Sequence, residues 1–302
     1  MPGHLTPGSH VSSPTFPAIF SVNGRSQVCQ TRGMTISQVS GGDGCAINVT
    51  VAGPEDGPLV VGIHGIGQSL LAYQPLLDVA DQRGWRVVAF DLRGHGESEK
   101  PHDAYGDPKL WADDVKAVLE WAGASVDNRA TVLAWSYGGA VITDYLATYG
   151  GDLVKAIVTL GATDKLGAPV GPFVTPEFGA LGKAIMTDDT GEVAEQLLAM
   201  CAAKPLDSAY RKRLLEESLK CPAYVRNGMF RRTLDNDTAL AAYGGIVVAT
   251  HGDQDQMFSQ DLGKLIAETA KNGTFKGYAD CGHMPLWDVP DELLADVANL
   301  VD

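Results

Sequence analysis

Residues 131–139, Thr-Val-Leu-Ala-Trp-Ser-Tyr-Gly-Gly, join an apolar segment to a helical pattern that continues to Tyr149. The order predicts a strand, a sharp turn at Ser136 and a helix. A serine at such a turn is held in a strained backbone conformation that lifts its hydroxyl out of the sheet. Small residues two before and two after it, here Ala134 and Gly138, keep the turn from clashing. Ser136 is therefore a candidate nucleophile.

A serine needs a general base, an acid that orients the base, and donors for the oxyanion that forms when it attacks a carbonyl. Residues 246–250 read as a buried strand that ends in a turn with two carboxylates, Asp253 and Asp255. Residues 275–279 read as another short strand, followed closely by His283. The sequence therefore predicts His283 as the base and a carboxylate of the 251–255 turn as the acid.

The oxyanion donors are expected at two backbone positions. Residues 59–63 form a continuous apolar run of the kind found in strands buried on both faces, and the run stops at His64-Gly65-Ile66-Gly67, before a helical pattern at 70–82. A glycine-flanked turn can aim the N–H of Ile66 at a substrate oxygen. The N–H of Tyr137, at the start of the helix after Ser136, is the second predicted donor.

Taken together, these segments resemble the α/β-hydrolase superfamily, and within it the bacterial non-haem chloroperoxidase-like esterases and perhydrolases. The resemblance covers the chain from about Met34 to the C-terminus. The matching segments are HGIGQS at 64–69, GWRVVAFDLRGHGES at 84–98, ADDVKAVLEW at 112–121, AWSYGG at 134–139, HGDQD at 251–255 and CGHMPLWDVPDEL at 281–293.

The resemblance also implies which carboxylate acts. The chain order Ser136, Asp255, His283 is the order used by α/β-hydrolases, and other serine-triad folds use different orders. Members of the family place the acid three residues after the glycine of the strand-7 turn, which selects Asp255 and leaves Asp253 as the runner-up. Some hydrolases take the acid from the end of the preceding strand, where Asp164 lies in this chain.

The expected fold class is α/β, with a mostly parallel, twisted sheet and helices on both faces, because strands and helices alternate from Pro58 onward. Residues 35–40 and 45–51 are predicted to form an antiparallel pair before this alternation. The core is expected to comprise residues 34–161 and 245–302. Residues 162–244 read as helical and are too long for a loop. The resemblance implies that this insertion, between strands 6 and 7, is the helical cap of an α/β-hydrolase.

Residues 1–33 are rich in Pro, Gly, Ser and Thr and are predicted to form a flexible N-terminal arm without a secretory signal. In related enzymes the cap covers the serine and selects the acyl and leaving groups. Seven aromatic or sulfur-containing residues of the predicted cap are candidates for lining an apolar pocket: Phe173, Phe178, Met186, Met200, Tyr224, Met229 and Phe230.

A serine nucleophile indicates acyl transfer, whereas related enzymes that attack alkyl carbons use an aspartate at this turn. The sequence therefore predicts a serine hydrolase that cleaves a carboxylic ester or lactone through an acyl-enzyme intermediate. Three alternatives remain: a C–C bond hydrolase, a hydroxynitrile-lyase-type enzyme on the same triad, and a ligand receptor that retains the fold. Perhydrolase activity would be a side reaction in which peroxide replaces water.

The predicted partner is a small-molecule ester or lactone, and composition disfavours two other classes of partner. The 302-residue chain has a formal net charge of -14 and a sequence pI of about 4.8, which disfavours nucleic acid and anionic membranes. It has no apolar run of transmembrane length. Five cysteines without framework spacing suit reduced thiols in the cytoplasm. No metal-ligand spacing occurs, so neither a metal nor a cofactor is predicted. The oligomeric state does not follow from the sequence.

Several polar residues near the predicted site are expected to hold loops. Asp91, Arg93 and His95 are predicted to tie down a glycine-rich loop through hydrogen bonds. His64 is predicted to brace the oxyanion loop without moving protons.

Overall fold

The computed structural model describes residues 29–31 and 33–301 of the chain. The strands in chain order are β1 (Cys29–Thr31), β2 (Met34–Ser40), β3 (Ala46–Ala52), β4 (Leu59–Ile63), β5 (Arg86–Phe90), β6 (Ala130–Trp135), β7 (Val154–Leu160), β8 (Lys165–Leu166), β9 (Leu234–Asp235), β10 (Ile246–Gly252) and β11 (Gly273–Tyr278). The α-helices are α1 (Gln74–Asp78), α2 (Ala80–Arg83), α3 (Pro108–Trp121), α4 (Tyr137–Tyr149), α5 (Pro176–Thr187), α6 (Glu192–Cys201), α7 (Ser208–Ser218), α8 (Ala223–Phe230), α9 (Asp237–Ala242), α10 (Gln260–Thr269), α11 (Pro285–Asp288) and α12 (Pro290–Val301). Short 3₁₀ helices cover Gly42–Gly44, Leu70–Tyr73 and Ala168–Phe173.

Nine strands form one sheet in the order β1-β2-β3-β5-β4-β6-β7-β10-β11. The six strands from β5 to β11 along this order are parallel, and the three at the other edge are antiparallel. In a parallel sheet the carboxyl ends of neighbouring strands meet at one edge, where ligands bind. The candidate residues that follow β4, β6, β10 and β11 therefore converge there, and the predicted mostly parallel sheet is confirmed.

The central strands β4 and β6 are buried at every residue, as their unbroken apolar runs predict. Gly62 in β4 leaves room for a ring, because a Cβ there would lie 2.8 Å from Tyr73 side-chain atoms. The Tyr73 hydroxyl oxygen lies 3.0 Å from the Ile63 carbonyl oxygen and 2.8 Å from the Leu133 carbonyl oxygen, so its one proton is shared between the two acceptors. This buried tyrosine thus ties the ends of the two strands that precede the oxyanion loop and the nucleophile turn.

The predicted antiparallel pair is confirmed, since β2 and β3 pair with Ile36 opposite Thr50. Of the predicted N-terminal arm, the structure describes Cys29–Thr31 and Gly33. Cys29–Thr31 form β1, which pairs antiparallel with β2 and places Cys29 opposite Ile36. The remainder of the arm prediction lies outside the described residues.

One predicted helix is divided in the structure. The pattern at 70–82 predicts a single helix, but the segment contains the 3₁₀ helix Leu70–Tyr73 followed by α1 and α2. Pro75 lies at the start of α1 and cannot donate a backbone hydrogen bond to the preceding turn. The prediction of one continuous helix was therefore wrong.

Residues 162–244, predicted as a cap and hereafter called the insertion, lie between β7 and β10. They contain α5 to α9 and the two-stranded pair β8–β9. Side chains capping the first turns of α5 and α7 are Thr175 and Asp207, whose oxygens accept backbone N–H groups there. The Tyr210 hydroxyl of α7 donates to the Leu71 carbonyl of the core at 2.9 Å. The insertion is therefore hydrogen-bonded to the 3₁₀ helix Leu70–Tyr73 of the core.

No helix within residues 33–301 is both long enough and apolar enough to cross a membrane.

Candidate active site

The predicted nucleophile lies at a strained turn between β6 and α4. Ser136 has φ 54° and ψ -119°, a conformation with positive φ that non-glycine residues rarely adopt. A Cβ at Gly138 would lie 2.4 Å from the Ile63 carbonyl oxygen, and one at Gly139 would lie 2.6 Å from the Thr163 carbonyl oxygen. Larger residues at these two positions would push α4 away from the neighbouring strand ends. The strand-turn-helix prediction is confirmed in this segment.

The structure brings His283 and Asp255 together at the ends of β11 and β10. His283 Nδ1 lies 2.8 Å from Asp255 Oδ2, and both side chains are about 1 % exposed. The other oxygen of Asp255 accepts the N–H groups of Met257 and Phe258 at 2.7 and 3.2 Å. An ionised carboxylate can only accept, so the proton of a neutral His283 lies on Nδ1. Nε2 is then free to act as a base.

The surroundings keep the Asp255 carboxyl ionised. Burial opposes ionisation, but the charge and hydrogen bonds of His283 and His251 outweigh it and hold the pKa of Asp255 well below its usual range. A carboxylate that stays charged can stabilise an imidazolium on His283 during a reaction.

His251 is a site residue that the sequence analysis did not single out. Its Nε2 lies 2.8 Å from Asp255 Oδ2, the same oxygen that contacts His283, and 3.0 Å from the Phe258 carbonyl oxygen. Both partners accept, so Nε2 carries the proton. The signal in the sequence is a histidine near the end of a buried strand, four residues before Asp255. His251 and two backbone N–H groups thus fix the carboxylate in place.

The alternative carboxylates lie elsewhere. Asp253 is exposed, and its Oδ1 accepts the Cys281 N–H at 3.3 Å. Asp164 is buried beside Lys165, with 3.3 Å between Oδ2 and Nζ. Burial raises the pKa of Asp164 to about 6. Of the three candidate acids, Asp255 is therefore the one that contacts His283.

The loop that holds the His283 backbone depends on two residues that sequence reasoning missed. Trp135 Nε1 donates to the His283 carbonyl at 3.1 Å, which connects the residue before Ser136 to the histidine loop. Asp288 accepts the N–H groups of Gly282 and Ala203 at 2.7 and 2.9 Å. Asp288 therefore anchors both the histidine loop and the insertion.

The predicted oxyanion donors border the same cavity as Ser136. A Cβ at Gly65 would lie 2.8 Å from Ser136 Cβ, so glycine allows the loop after β4 to approach the nucleophile. Ile66 is partly buried and lines the cavity. Tyr137 is the first residue of α4, where the backbone N–H has no partner within the helix. Both N–H groups therefore belong to backbone segments that adjoin Ser136.

Two buried histidines hold this loop: His64, which was predicted to do so, and His95, which was predicted to hold the glycine-rich loop after β5. His64 Nε2 accepts the Leu92 N–H at 2.9 Å, so its Nδ1 donates to the Gly65 carbonyl at 2.7 Å. His95 Nε2 accepts the Gly67 N–H at 3.1 Å. Burial lowers the pKa of His64 well below the ordinary value, so the ring stays neutral. Both rings are committed to backbone atoms on either side of Ile66.

The other two predicted loop anchors are also buried. Asp91 accepts the N–H of Leu70 at 2.7 Å and that of Glu97 at 2.9 Å. Arg93 forms a buried ion pair with Asp114, in which Nε lies 2.7 Å from Oδ2. These contacts confirm that polar side chains after β5 hold the glycine-rich loop.

The burial of His95 predicts that the free energy of unfolding depends measurably on pH. Burial, with the positive charges of Lys100 and Arg226, lowers the pKa of His95 to about 4. The unfolded chain then binds the proton more readily, so the contribution of His95 is present above about pH 6.5 and is lost as the pH falls toward 4. The loss corresponds to about 3 kcal/mol. His95→Gln should therefore show a shallower fall in unfolding free energy over this range.

The measurement is urea unfolding of wild type and His95→Gln at matched pH values from 7 to 4. Burial raises the pKa of Asp91 and of Asp144 to about 6, so these carboxyl groups increase the unfolding free energy as the pH falls, opposite to the effect of His95. Because this contribution is present in wild type and in His95→Gln, the difference between the two proteins isolates the effect of His95. Parallel curves for the two proteins would contradict the assignment of a neutral, buried His95.

A cavity that is partly open to solvent lies between the core and the insertion. Ser136, His283 and Ile66 line its core side. Apolar residues line much of the opposite side: Phe178, Val193, Leu197, Leu198, Leu219 and Met257. Of the seven predicted pocket residues, Phe178 lines this cavity, whereas Met200 and Met229 are buried among the hydrophobic core side chains.

The cysteines whose side chains are described do not compete as nucleophiles. Cys45, Cys201, Cys221 and Cys281 are free and buried. Burial raises the pKa of Cys281, two residues before His283, to about 12, so its thiol remains protonated. Within residues 33–301, no group of three or more His, Cys, Asp or Glu side chains is arranged to hold a metal ion.

Comparisons with known proteins identify the family to which the fold belongs. The sequence model of a family described as the alpha/beta hydrolase fold matches residues 58–290. The chain is 28% identical over 258 residues to a bifunctional esterase/perhydrolase from Acinetobacter calcoaceticus, which covers 80% of this chain and 90% of that protein. It is 35% identical over 104 residues to a non-heme chloroperoxidase from Kitasatospora aureofaciens, covering 34% of this chain and 36% of that protein.

A solved structure extends the similarity over nearly the whole chain. The esterase RhEst1 from Rhodococcus sp. ECU1013 superposes with a TM-score of 0.80 at 32% sequence identity, covering 88% of this chain and 98% of that one. The resemblance inferred from the sequence motifs is thus confirmed.

Proposed function

The chain belongs to the α/β-hydrolase fold family, and from that premise we propose that it is a serine hydrolase that cleaves a carboxylic ester or lactone through an acyl-enzyme intermediate. The family and the esterases among its relatives support hydrolase activity of the esterase type. One observation carries the finer proposal. His283, whose Nδ1 lies 2.8 Å from Asp255 Oδ2, lines the same cavity as Ser136.

In the first half of the reaction, Ser136 Oγ forms a bond to the carbonyl carbon while its proton passes to His283 Nε2. The carbonyl electron pair moves onto oxygen, and the N–H groups of Ile66 and Tyr137 donate to that oxyanion. His283 then gives its proton to the alcohol oxygen as the carbon–oxygen bond breaks. The alcohol departs and the acyl group stays on Ser136. With a lactone, the alcohol formed is part of the acyl chain and stays attached to Ser136 through it.

In the second half, water takes the place of the alcohol. His283 Nε2 removes a proton from water as its oxygen bonds to the acyl carbon. The tetrahedral intermediate collapses, the acid leaves, and His283 returns the proton to Ser136 Oγ. His283 is cationic twice in each cycle. The ionised Asp255, held by His251 and two backbone N–H groups, stabilises that cation each time.

The insertion acts as a cap in this proposal. Its α6 contributes Val193, Leu197 and Leu198 to the cavity wall facing Ser136, and apolar side chains there favour an apolar acyl chain. Acyl-chain preference is then set by the residues of α6 that line the cavity and not by those packed behind it.

Leu197→Ala tests this division. Leu197 is partly buried and lines the cavity, so its truncation makes room for a longer chain. We expect the ratio of kcat/KM for long over short p-nitrophenyl esters to rise about fourfold for each methylene that enters the new space. Met200→Ala, in the same helix but buried in the core, should lower the unfolding free energy by about 2–5 kcal/mol without changing that ratio. An equal change of ratio in both variants would contradict the assignment.

Pre-steady-state kinetics test the proposed function itself. With p-nitrophenyl butanoate, formation of an acyl-enzyme that hydrolyses slowly should release a burst of nitrophenol close to one per active site. The C–C hydrolase alternative predicts faster turnover of a vinylogous diketone than of any ester. A lyase would release an aldehyde and cyanide from a cyanohydrin. A receptor would bind without turnover. Any of these three results, together with the absence of ester turnover, would overturn the proposal.

A further inference from the structure

Two buried side-chain atoms of residues that line the cavity have no hydrogen-bond partner within the described part of the chain: His283 Nε2 and Gln68 Oε1. The proposed reaction accounts for the first, because Nε2 must be free to receive the Ser136 proton. It does not account for the second. Gln68 is 4 % exposed, and a buried carbonyl oxygen without a donor is destabilising.

The orientation of the Gln68 amide follows from its neighbours. Gln68 Nε2 and Ser218 Oγ are 2.5 Å apart, and Ser218 Oγ lies 3.0 Å from the Leu214 carbonyl oxygen. The carbonyl can only accept, so the single hydroxyl proton of Ser218 is directed to Leu214. Ser218 must then accept from Gln68, which assigns the NH₂ group to Ser218 and leaves Oε1 as the unpaired atom.

The position of Gln68 connects it to the reacting centre. It follows the oxyanion loop directly, one residue after Gly67, whose N–H is held by His95. Its partner Ser218 belongs to α7 of the insertion. Gln68 therefore spans the boundary between the loop that would bind the oxyanion and the wall that would bind the acyl chain.

The charged residues that line the cavity are already paired. Arg226 donates to the backbone carbonyls of Ile185, Cys221 and Asp188. The carboxylate of Asp188 accepts the N–H of Val193 at 3.1 Å and that of Gly191 at 3.2 Å. These groups have their hydrogen bonds within the protein, whereas Gln68 Oε1 does not. Besides His283 Nε2, Gln68 Oε1 is therefore the buried side-chain acceptor without a donor among the described residues that line the cavity.

We propose that Gln68 Oε1 accepts a hydrogen bond from the substrate, and that the preferred substrates are esters or lactones whose acyl chain is mainly apolar and carries a hydroxyl or amide N–H. This inference rests on the proposed function. A purely apolar acyl chain would leave Oε1 unpaired, and a chain with only an ether oxygen would place two acceptors together. Sites built to bind a hydroxyl discriminate strongly against analogues that lack it.

The experiment compares esters that differ only in the donor. Methyl 2-hydroxybutanoate and methyl 3-hydroxybutanoate are each paired with the corresponding methyl ether, and kcat/KM is measured by titrating the released acid. In wild type, at least one hydroxy ester should exceed its ether by about tenfold or more. In Gln68→Met, which keeps similar length without polar atoms, that ratio should fall close to one. The ratio is internal to each protein, so a general loss of activity does not affect it.

Two further variants make the test specific. Gln196→Met makes the same replacement at an exposed position of α6 and should keep the wild-type ratio. Ser218→Ala removes the group that orients the amide, so Gln68 can turn its NH₂ toward the cavity and the ethers should gain on the hydroxy esters. A ratio near one in wild type, or a wild-type ratio that persists in Gln68→Met, would overturn the inference.

A binding measurement separates this inference from the proposed function. In Ser136→Ala the esters cannot be turned over by the proposed route, yet the same preference for the hydroxy ester should appear in Kd by calorimetry. Preference in Kd without any ester turnover in wild type would sustain the Gln68 site and reject the hydrolase proposal. Ester turnover through Ser136 with equal Kd values for hydroxy ester and ether would do the reverse.

Discussion

Ser136→Ala is expected to lower kcat for ester hydrolysis by about 10⁶-fold, the loss found when the serine of another triad enzyme is removed. The variant retains the oxyanion donors and His283 but has no oxygen with which to form an acyl-enzyme. Because Ser136 is 7 % exposed and lies at a turn with φ 54°, alanine removes one oxygen without a large loss of packing. We therefore expect an unchanged far-UV circular dichroism spectrum and a melting temperature at or above that of wild type.

The rate is measured with p-nitrophenyl butanoate on purified protein. Ser208→Ala is the matched control, since Ser208 is exposed at the start of α7 and should retain full activity. Ser136→Ala activity within tenfold of wild type would exclude Ser136 as the nucleophile.

Asp255→Asn should lower kcat by about 10⁴-fold, as the equivalent change does in another serine-triad enzyme. Asparagine keeps the volume of the side chain but removes the charge that stabilises a His283 cation. Its amide can also donate to Nδ1, which would move the imidazole proton to Nε2 and abolish the base. Asp253→Asn is the matched control two residues away, and its rate should stay close to wild type because Asp253 is exposed and does not contact His283.

Both Asp variants are assayed from pH 6 to 9. The loss in Asp255→Asn should persist across the range, since a misoriented imidazole lacks base capacity at every pH. If Asp253→Asn showed the large loss of kcat and Asp255→Asn kept a nearly normal kcat, the catalytic acid would be Asp253 and not Asp255. If neither variant were impaired, the acid would lie elsewhere, and Asp164→Asn would be the next variant to assay.

Local pattern and chain order predicted His283 and a carboxylate of the 251–255 turn, and the family resemblance selected Asp255 over Asp253. Ser136 and Asp255 follow mostly buried strands, whereas His283 follows the edge strand β11, which is mostly exposed or half-buried. A parallel sheet brings the carboxyl ends of all three strands to one edge. His251 was missed because the turn that brings its ring back onto Asp255 has no periodic signature. Asp288 and Gln68 were missed because their partners, Ala203 and Ser218, are distant in sequence.

Hydrophobic periodicity predicted the structure correctly where burial in the sheet determines the sequence pattern. The prediction failed where backbone chemistry or tertiary packing determines the structure. β4 and β6 are buried throughout, as their apolar runs predict. The helix expected over residues 70–82 is divided near Pro75 because proline removes a backbone donor. In α6, helical periodicity identifies several apolar residues but does not decide that Leu197 lines the cavity while Met200 packs in the core.

Covalent labelling tests the central claim, that Ser136 is the nucleophile, most directly. The full chain is incubated with a p-nitrophenyl alkylphosphonate, and intact mass spectrometry followed by peptide mapping locates the adduct. We predict one phosphonyl group per chain, attached to Ser136, with no adduct in Ser136→Ala and much slower labelling in Asp255→Asn. An adduct on any other residue, or equal labelling of wild type and Ser136→Ala, would contradict the account.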